Sequence, residues 1–151
     1  MSKQQFHQLT LLDAAIAVQA NAYAPYSHYK VGSALLADDG NTYSGCNVEN
    51  VAYPLGQCAE GNAIAAMVAA GASKVREILI ASPNSDFCTP CGGCRQRIFE
   101  FADQQTLIHM ATSDGKIKTV TMDDILPLAF SVDTKPSELQ QDSKGSQTYL
   151  A

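Results

Sequence analysis

The chain has 151 residues, of which 46% are hydrophobic and 17% are charged, and its formal net charge is -5 at pH 7. This length fits one domain with a single core. Lysine and arginine form no run, so the composition lacks the basic surface of a nucleic-acid-binding or membrane-binding protein and favours a small, uncharged ligand.

The cysteine content and the apolar segments predict the compartment. A helix needs about 20 apolar residues to span a bilayer, and no stretch approaches that length. Residues 1–5 are polar, and the amphipathic segment after them does not have the apolar core of a signal peptide. The five cysteines are odd in number and three of them have zinc-like spacing, which disfavours a secreted disulfide scaffold. We therefore expect a cytoplasmic protein with no membrane or nucleic-acid partner.

The first half of the chain predicts a helix, a hairpin and a second helix. Apolar residues at near-helical spacing predict a helix over about 3–23 that Pro25 ends. Strands over 31–37 and 42–46 flank an Asp-Gly type turn at 38–41. Residues 59–70 are rich in Ala, Ile, Met and Val and precede Gly71, which predicts a largely buried helix.

The second half predicts strands that alternate with helices. The predicted order is a strand over 77–81, a helix from near Pro90 to Phe101, strands over 106–112 and 117–120, and a short helix that starts at 121–124 and ends at Pro127. This order predicts an α/β sandwich whose site lies at helix amino termini. We expect residues 1–131 to form one domain and residues 132–151 to form a polar tail.

Two cysteine motifs carry most of the functional information. Cys58 belongs to a C-x-E motif, and Cys91 and Cys94 form a P-C-x-x-C motif. Three protein ligands leave the fourth tetrahedral position of zinc open, as in catalytic sites. Cys91 and Cys94 lie one helical turn apart and Cys58 would stand at a helix start, so unpaired N–H groups of two helices would stabilise the thiolates.

Glu60 decides between a structural and a catalytic metal site. It lies two positions after Cys58, where it can reach a water at the metal without binding the metal itself. Because zinc lowers the pKa of water from 15.7 to about 7, a carboxylate there can take a proton from water and return it to a ring nitrogen and a leaving amine. This favours hydrolytic removal of ammonia from an amidine-like carbon.

Two other classes of protein stay open on the cysteines alone. A lone C-x-x-C motif is more often a structural zinc knuckle or a redox pair, which would make the chain a non-catalytic zinc-stabilised interaction domain or a thiol–disulfide oxidoreductase. A structural site needs a fourth ligand, and Cys88 is a candidate that we interpret as a loop thiol. We interpret Cys46 as a small buried hydrophobe.

The chain resembles the small homotetrameric cytidine deaminases almost from end to end. The similarity is carried by A-P-Y-S at 24–27, the segment 31–36, G-C-N-V-E-N at 45–50, P-C-G-G-C-R-Q at 90–96, and L-P at 126–127 before Phe130. The C-x-E and P-C-x-x-C motifs are those of zinc nucleobase deaminases. The resemblance implies a three-layer α/β/α sandwich with a mixed central sheet, and one Zn²⁺ per subunit bound by Cys58, Cys91 and Cys94, with Glu60 as proton shuttle.

The resemblance also implies how a nucleoside would bind. Asn47 and Glu49 would hydrogen-bond the ribose 3′-hydroxyl, and backbone groups of Ala59 would contact the base. Tyr29 stands where the family usually has Phe packed against the pyrimidine. Read without the family, Asn47 and Glu49 fit turn chemistry and Tyr29 fits a core-facing strand residue.

Three further positions would act across a subunit interface. By the resemblance, Val51, Tyr53 and Phe130 would reach the active site of a neighbouring subunit in a homotetramer, whereas Phe130 alone predicts an ordinary buried aromatic. The expected reaction is deamination of cytidine and 2′-deoxycytidine in pyrimidine salvage, with free nucleosides favoured over polynucleotides. The alternative is a deaminase of the same fold that acts on another cytosine-containing nucleoside.

One position departs from the family pattern. Many tetrameric members have Arg immediately after the catalytic Glu, where this chain has Gly61. Three thiolates around one Zn²⁺ leave a net negative charge, which N–H groups at the helix ends and hydrogen bonds around the ligands would then have to offset. Arg95 is the candidate substitute that the motif offers.

Overall fold

A five-stranded mixed sheet forms the centre of the protein in the computed structural model, which describes residues 2–132. Its strands, in the spatial order β2-β1-β3-β4-β5, are β1 (Gly32–Ala37), β2 (Thr42–Cys46), β3 (Val75–Ala81), β4 (Leu107–Ala111) and β5 (Ile117–Thr121). Strands β3 and β4 run parallel, and all other neighbours are antiparallel. Of the predicted tail, only Val132 lies within the described residues.

Helices cover both faces of this sheet. Helix α1 (Lys3–Gln19) packs on one face against β1, β2 and β3, while α2 (Ala59–Ala69) and α3 (Gly92–Phe101) lie on the other face. A 3-10 turn (Tyr53–Leu55) and the short helix α4 (Met122–Ile125) complete the described elements. The predicted three-layer α/β/α sandwich with a mixed sheet is confirmed. Within residues 2–132, no helix is long and apolar enough to cross a membrane.

The central strands are apolar on both sides because each side meets helices. Leu35, Ile78 and Ile80 are buried in the core that also contains α2, whereas Ala34 and Leu79 are buried under α1. Alternate residues of a strand point to opposite faces, so each strand contributes to both cores.

Helix α1 ends earlier than its periodicity predicts. The predicted helix runs to residue 23, but α1 ends at Gln19. The N–H of Tyr23 donates to the carbonyl of Asn47 at 3.1 Å, and the N–H of Glu49 donates to the carbonyl of Tyr23 at 2.8 Å. This pairing with a distant segment overrides helix propensity. The other predicted elements are confirmed to within two residues at each end.

Strand β2 and helix α2 approach so closely at Gly45 that no side chain fits between them. A Cβ atom on Gly45 would lie 2.7 Å from the carbonyl carbon of Asn62 and 2.8 Å from the carbonyl oxygen of Ala59. The Asn62 side-chain amide also donates to the carbonyl of Cys46 at 2.8 Å. The start of α2 is therefore fixed against the edge of the sheet.

We expect Gly45→Ala to lower the free energy of unfolding by about 1–3 kcal/mol, because a Cβ atom there would displace backbone atoms of α2. Urea unfolding followed by circular dichroism measures this difference. Gly92→Ala is the matched control, since a Cβ atom on Gly92 would meet nothing within 4 Å. Equal stability of Gly45→Ala and the unsubstituted protein would show that this approach does not constrain α2.

Candidate metal centre and active site

The amino termini of α2 and α3 meet at three cysteine sulfurs. Cys58 is the N-cap residue of α2, Cys91 is the N-cap residue of α3, and Cys94 lies in the first turn of α3. The three Sγ atoms all lie within 4.8 Å of one another, and those of Cys58 and Cys91 are 4.0 Å apart. The structure thus brings together the three residues that the motifs predict as ligands.

The donor set and its spacing fit a zinc ion. Sulfurs bound at about 2.3 Å in tetrahedral geometry lie roughly 3.8 Å apart, close to the separations in this group. Cys88 does not belong to the group, so residues 2–132 supply three sulfur ligands at this point and no fourth cysteine. None of the five cysteines forms a disulfide. Three ligands leave a position for water, as a catalytic zinc site requires.

The electrostatics of the group favour a thiolate at Cys58. Hydrogen bonding by the neighbouring Cys94 is the largest cause that lowers the pKa of Cys58 from 9.0 to about 6, and the charge of Arg97 acts in the same direction. The pKa of Cys94 is raised, first by its interaction with Cys58 and then by burial. Unpaired N–H groups at both helix starts add positive potential at the same place.

Glu60 lies in the first turn of α2 and is only 4% exposed. It is the one acidic residue in the first turns of α2 and α3. Its negative charge acts to raise the pKa values of Cys58 and Cys94, and it lies two residues after Cys58 at the start of the same helix. The site therefore combines three sulfur ligands with one buried carboxylate that is not part of the ligand group.

Asn47 joins the backbone that follows β2 to the backbone that precedes β1. Its side-chain carbonyl accepts from the N–H of Val31 at 2.8 Å, and its amide donates to the carbonyl of Tyr29 at 2.9 Å. These contacts reach residues 16 and 18 positions earlier in the chain, so they are not the local turn contacts that Asn47 alone predicts, and they fix the backbone around Tyr29.

Glu49 holds the same loop from the other side. Its carboxylate accepts from the N–H groups of Tyr26 and Ser27 at 2.9 and 3.2 Å, and from the Ser27 hydroxyl. The Ser27 hydroxyl is the largest cause of the lowered pKa of Glu49. Glu49 is thus held as an oriented carboxylate.

Glu49 also lines an open cavity of about 370 Å³ with polar and aromatic walls. The other lining residues are Tyr26, Ser27, Asn50, Tyr53 and Gly56. A larger cavity of about 680 Å³ lies between α1 and the amino-terminal end of β3. It is lined by Lys3, His7, Arg76 and Glu77 among others, and no cysteine lines it. The candidate site is therefore located by its cysteine ligands and not by the volume of a cavity.

Tyr29 precedes β1 and is half-buried against the core cluster of α2 and α3. Its prediction as a strand residue is wrong, although its contact with the core is confirmed. The hydroxyl lies 3.3 Å from Oγ of Ser82, and burial is the largest cause of the raised pKa of Tyr29. The hydroxyl therefore stays protonated. It contacts Ser82, a contact that a phenylalanine at this position could not make.

The three residues expected at a subunit interface are exposed in the single chain. Val51, Tyr53 and Phe130 are 76%, 79% and 78% exposed, whereas Ala59 is buried at the start of α2. The prediction of Phe130 as a buried aromatic is therefore wrong for the isolated chain. The Phe130 carbonyl accepts from the Gln96 side chain at 2.8 Å, which ties this segment to α3.

The hydrogen bonds of Arg95 go to the backbone, so it does not take the place of the arginine that many family members have at position 61. Its Nε donates to the carbonyl of Pro90 at 2.9 Å and its Nη1 donates to that of Ile125 at 3.3 Å, so it braces the backbone around α3. The residue whose side chain lies against Gly61 is Arg97, which sequence analysis did not single out. Its position one helical turn after the second motif was the available signal.

Comparison with known proteins identifies the family. Residues 6–110 match the family described as the cytidine and deoxycytidylate deaminase zinc-binding region. The chain belongs to this family. The resemblance inferred from the cysteine motifs is thereby confirmed, and so is zinc as the cofactor of this deaminase domain.

Similar proteins and structures agree with this assignment. The cytidine deaminase of Sporosarcina psychrophila is 40% identical over 110 residues, which cover 73% of this chain and 81% of that protein. The cytidine deaminase of Mycobacterium tuberculosis is 38% identical over 119 residues, or 79% and 86% of the two chains. The crystal structure of cytidine deaminase from Burkholderia pseudomallei has a TM-score of 0.77 at 36% identity and covers 86% of this chain and 100% of that one.

We expect Cys91→Ser to lose most of its zinc and Cys88→Ser to keep one zinc ion per chain, because Cys91 lies in the sulfur group and Cys88 does not. Metal analysis of the purified proteins after gel filtration measures both values. Loss of zinc from Cys88→Ser would contradict the open site and indicate four cysteine ligands.

Proposed function

We propose that this protein hydrolyses cytidine and 2′-deoxycytidine to uridine and 2′-deoxyuridine with release of ammonia, in the salvage of pyrimidines. The observation that carries this proposal is the buried carboxylate of Glu60 beside three cysteine sulfurs at two helix amino termini. Relatives named cytidine deaminase at 38–40% identity support cytidine as a substrate.

Cys58, Cys91 and Cys94 would hold zinc, which would act as a Lewis acid and lower the pKa of water to about 7. The remaining chemistry is proton transfer by Glu60. The carboxylate takes one proton from water and delivers it to N3 of the pyrimidine while the water oxygen bonds to C4. It then carries the second water proton to the amino group, the C4–N bond breaks, and ammonia leaves. Both protons of the water are accounted for.

The surroundings of Glu60 suit this role. Its burial keeps bulk water from competing for the carboxylate, and a low local dielectric strengthens its hydrogen bonds to the reacting groups. Its place on the first turn of α2, which Gly45 and Asn62 fix against the sheet, limits its motion. A positioned acid–base group contributes about 10²–10⁴ to the rate.

The nucleoside-binding residues extend the site toward the loop of Glu49. We propose that Asn47 and Glu49 bond the ribose 3′-hydroxyl, that Tyr29 packs against the pyrimidine, and that the backbone at Ala59 contacts the base. The hydrogen bonds that hold Asn47 and Glu49 support this assignment, because oriented groups lose little entropy when a ligand binds.

We further propose a homotetramer in which Val51, Tyr53 and Phe130 reach a neighbouring active site. Their large exposed fractions support this, since three exposed apolar or aromatic side chains at 51, 53 and 130 are suited to burial by a partner. We propose one deaminase domain over 1–131 and a cytoplasmic location, which the five unpaired cysteines support.

The enzyme should remove the absorbance bands of cytidine and 2′-deoxycytidine, and Glu60→Gln should slow this by at least about 100-fold with zinc content and circular dichroism unchanged. Glu100→Gln, at an exposed glutamate of α3, is the matched control and should retain full activity. Retained turnover in Glu60→Gln would exclude it as the proton shuttle. Turnover of another cytosine nucleoside, with cytidine left intact, would favour the alternative substrate.

A subunit-mixing experiment tests the shared site. Glu60→Gln and Phe130→Ala should each be poorly active alone, but refolding or exchanging them together should restore activity, because some sites then combine an intact Glu60 with an intact Phe130. Mixed proteins with no more activity than the sum of the two separate variants, in hybrids verified by mass spectrometry, would contradict a shared site.

A further inference from the structure

The side chain of Arg97 lies along the amino ends of both cysteine-bearing helices. Arg97 is in α3, one turn after Cys94, and helix side chains lean toward the amino terminus. A Cβ atom on Gly93 would lie 3.4 Å from Nη1 of Arg97, and one on Gly61 would lie 3.5 Å from Cδ and 3.9 Å from Nε. The arginine side chain thus lies at contact distance from the first atom that a side chain at either position, one on each helix, would add.

A cation in this place is unfavourable unless an anion balances it. Helix amino termini carry about half a positive charge, so the ends of α2 and α3 repel a guanidinium group. Glu60 is the one acidic residue in their first turns, and no ion pair within residues 2–132 involves Arg97. The cysteine sulfurs at the same two helix ends are the other groups that can carry the balancing negative charge.

The net charge of the ligand set also indicates that Arg97 and the cysteine sulfurs balance each other. Three thiolates around one Zn²⁺ have a net charge of -1, and one arginine beside them brings the sum of zinc, thiolates and guanidinium to zero. Gly61 supplies no charge, and Arg95 donates its hydrogen bonds to the backbone of Pro90 and Ile125. Arg97 is the arginine whose side chain passes Gly61.

We propose that Arg97 is a positioning residue that balances the charge of the three thiolates, and that Gly61 leaves open the space its side chain needs. This inference rests on the proposed zinc ligands Cys58, Cys91 and Cys94. Arg97 is exposed, so solvent screens its charge. Substitution of a group that contacts metal ligands typically weakens metal binding by about 10-fold to 100-fold. Because Arg97 is exposed, we expect its loss to weaken zinc binding by about tenfold.

The test is the dissociation constant of zinc, measured by competition with a chelator on folded holoprotein. Arg97→Met, which keeps a long side chain but removes the charge, should bind zinc about tenfold more weakly. Arg97→Lys should bind nearly as tightly as the unsubstituted protein. Lys118→Met, which removes an exposed charge from β5, is the control for net charge and should leave the affinity unchanged.

Salt and a compensating substitution distinguish charge from packing. The difference between Arg97→Met and the unsubstituted protein should shrink from 0.01 M to 1 M salt, because the screening length falls from about 30 Å to about 3 Å. Gly61→Arg combined with Arg97→Met should recover zinc affinity, since it returns a positive charge to the same space from the other helix.

The inference is overturned if Arg97→Met binds zinc as tightly as the unsubstituted protein, or if Arg97→Lys is as weak as Arg97→Met. Failure of the double variant to recover affinity overturns the role given to Gly61. Zinc binding by the unsubstituted protein and its loss in Cys91→Ser test the ligand set separately. An unsubstituted protein that binds no zinc would reject the proposed site whatever the Arg97 variants do.

Discussion

The mutual repulsion of three thiolates is the constraint on which this site depends. Two unit charges 4 Å apart repel by about 4 kcal/mol at an effective dielectric constant of 20, so three sulfurs within 4.8 Å cannot all ionise unaided. Hydrogen bonding between Cys94 and Cys58 is the largest cause that lowers the pKa of Cys58 and raises that of Cys94, so the two thiols differ in how readily they ionise. Bound zinc would supply two positive charges in place of the thiol protons, and the helix ends add their N–H groups.

Neutral interactions elsewhere in the fold hold the charged groups in place. Gly45 lets α2 rest directly on β2, and the amide of Asn62 ties α2 to the carbonyl of Cys46. Arg95 braces the start of α3 through the carbonyl of Pro90. Packing and hydrogen bonds to backbone anchor both helix starts, so the fold brings the three sulfurs together. Glu60 shares the anchor of α2 and is therefore positioned with the ligands.

Features set by local spacing could be predicted from the sequence, whereas features set by distant contacts could not. A cysteine at a helix N-cap follows from the motif and its neighbours, which is why Cys58 and Cys91 lie where expected. The end of α1 depends on the hydrogen bonds of Tyr23 with a segment 24 residues further along the chain. Helix propensity depends on the local sequence alone and cannot predict such a contact. Exposure of Phe130 likewise depends on what surrounds the chain, which composition does not encode. Substrate contacts at Asn47 and Glu49 remain predictions, since the structure shows their bonds to the chain itself.

The pair Gly61 and Arg97 illustrates why a missing residue in a motif need not mean a missing function. A family pattern records which position supplies a charge, but the ligands respond to where the charge lies in space. Because α2 and α3 meet at the sulfurs, a long side chain on either helix can reach the same place. An arginine from α2 would begin at contact distance from the side chain of Arg97, so glycine at position 61 and arginine at position 97 place one positive charge there without crowding. Positions 61 and 97, which are far apart in sequence, are thus coupled through side chains that would meet in space, and neither is interpretable alone.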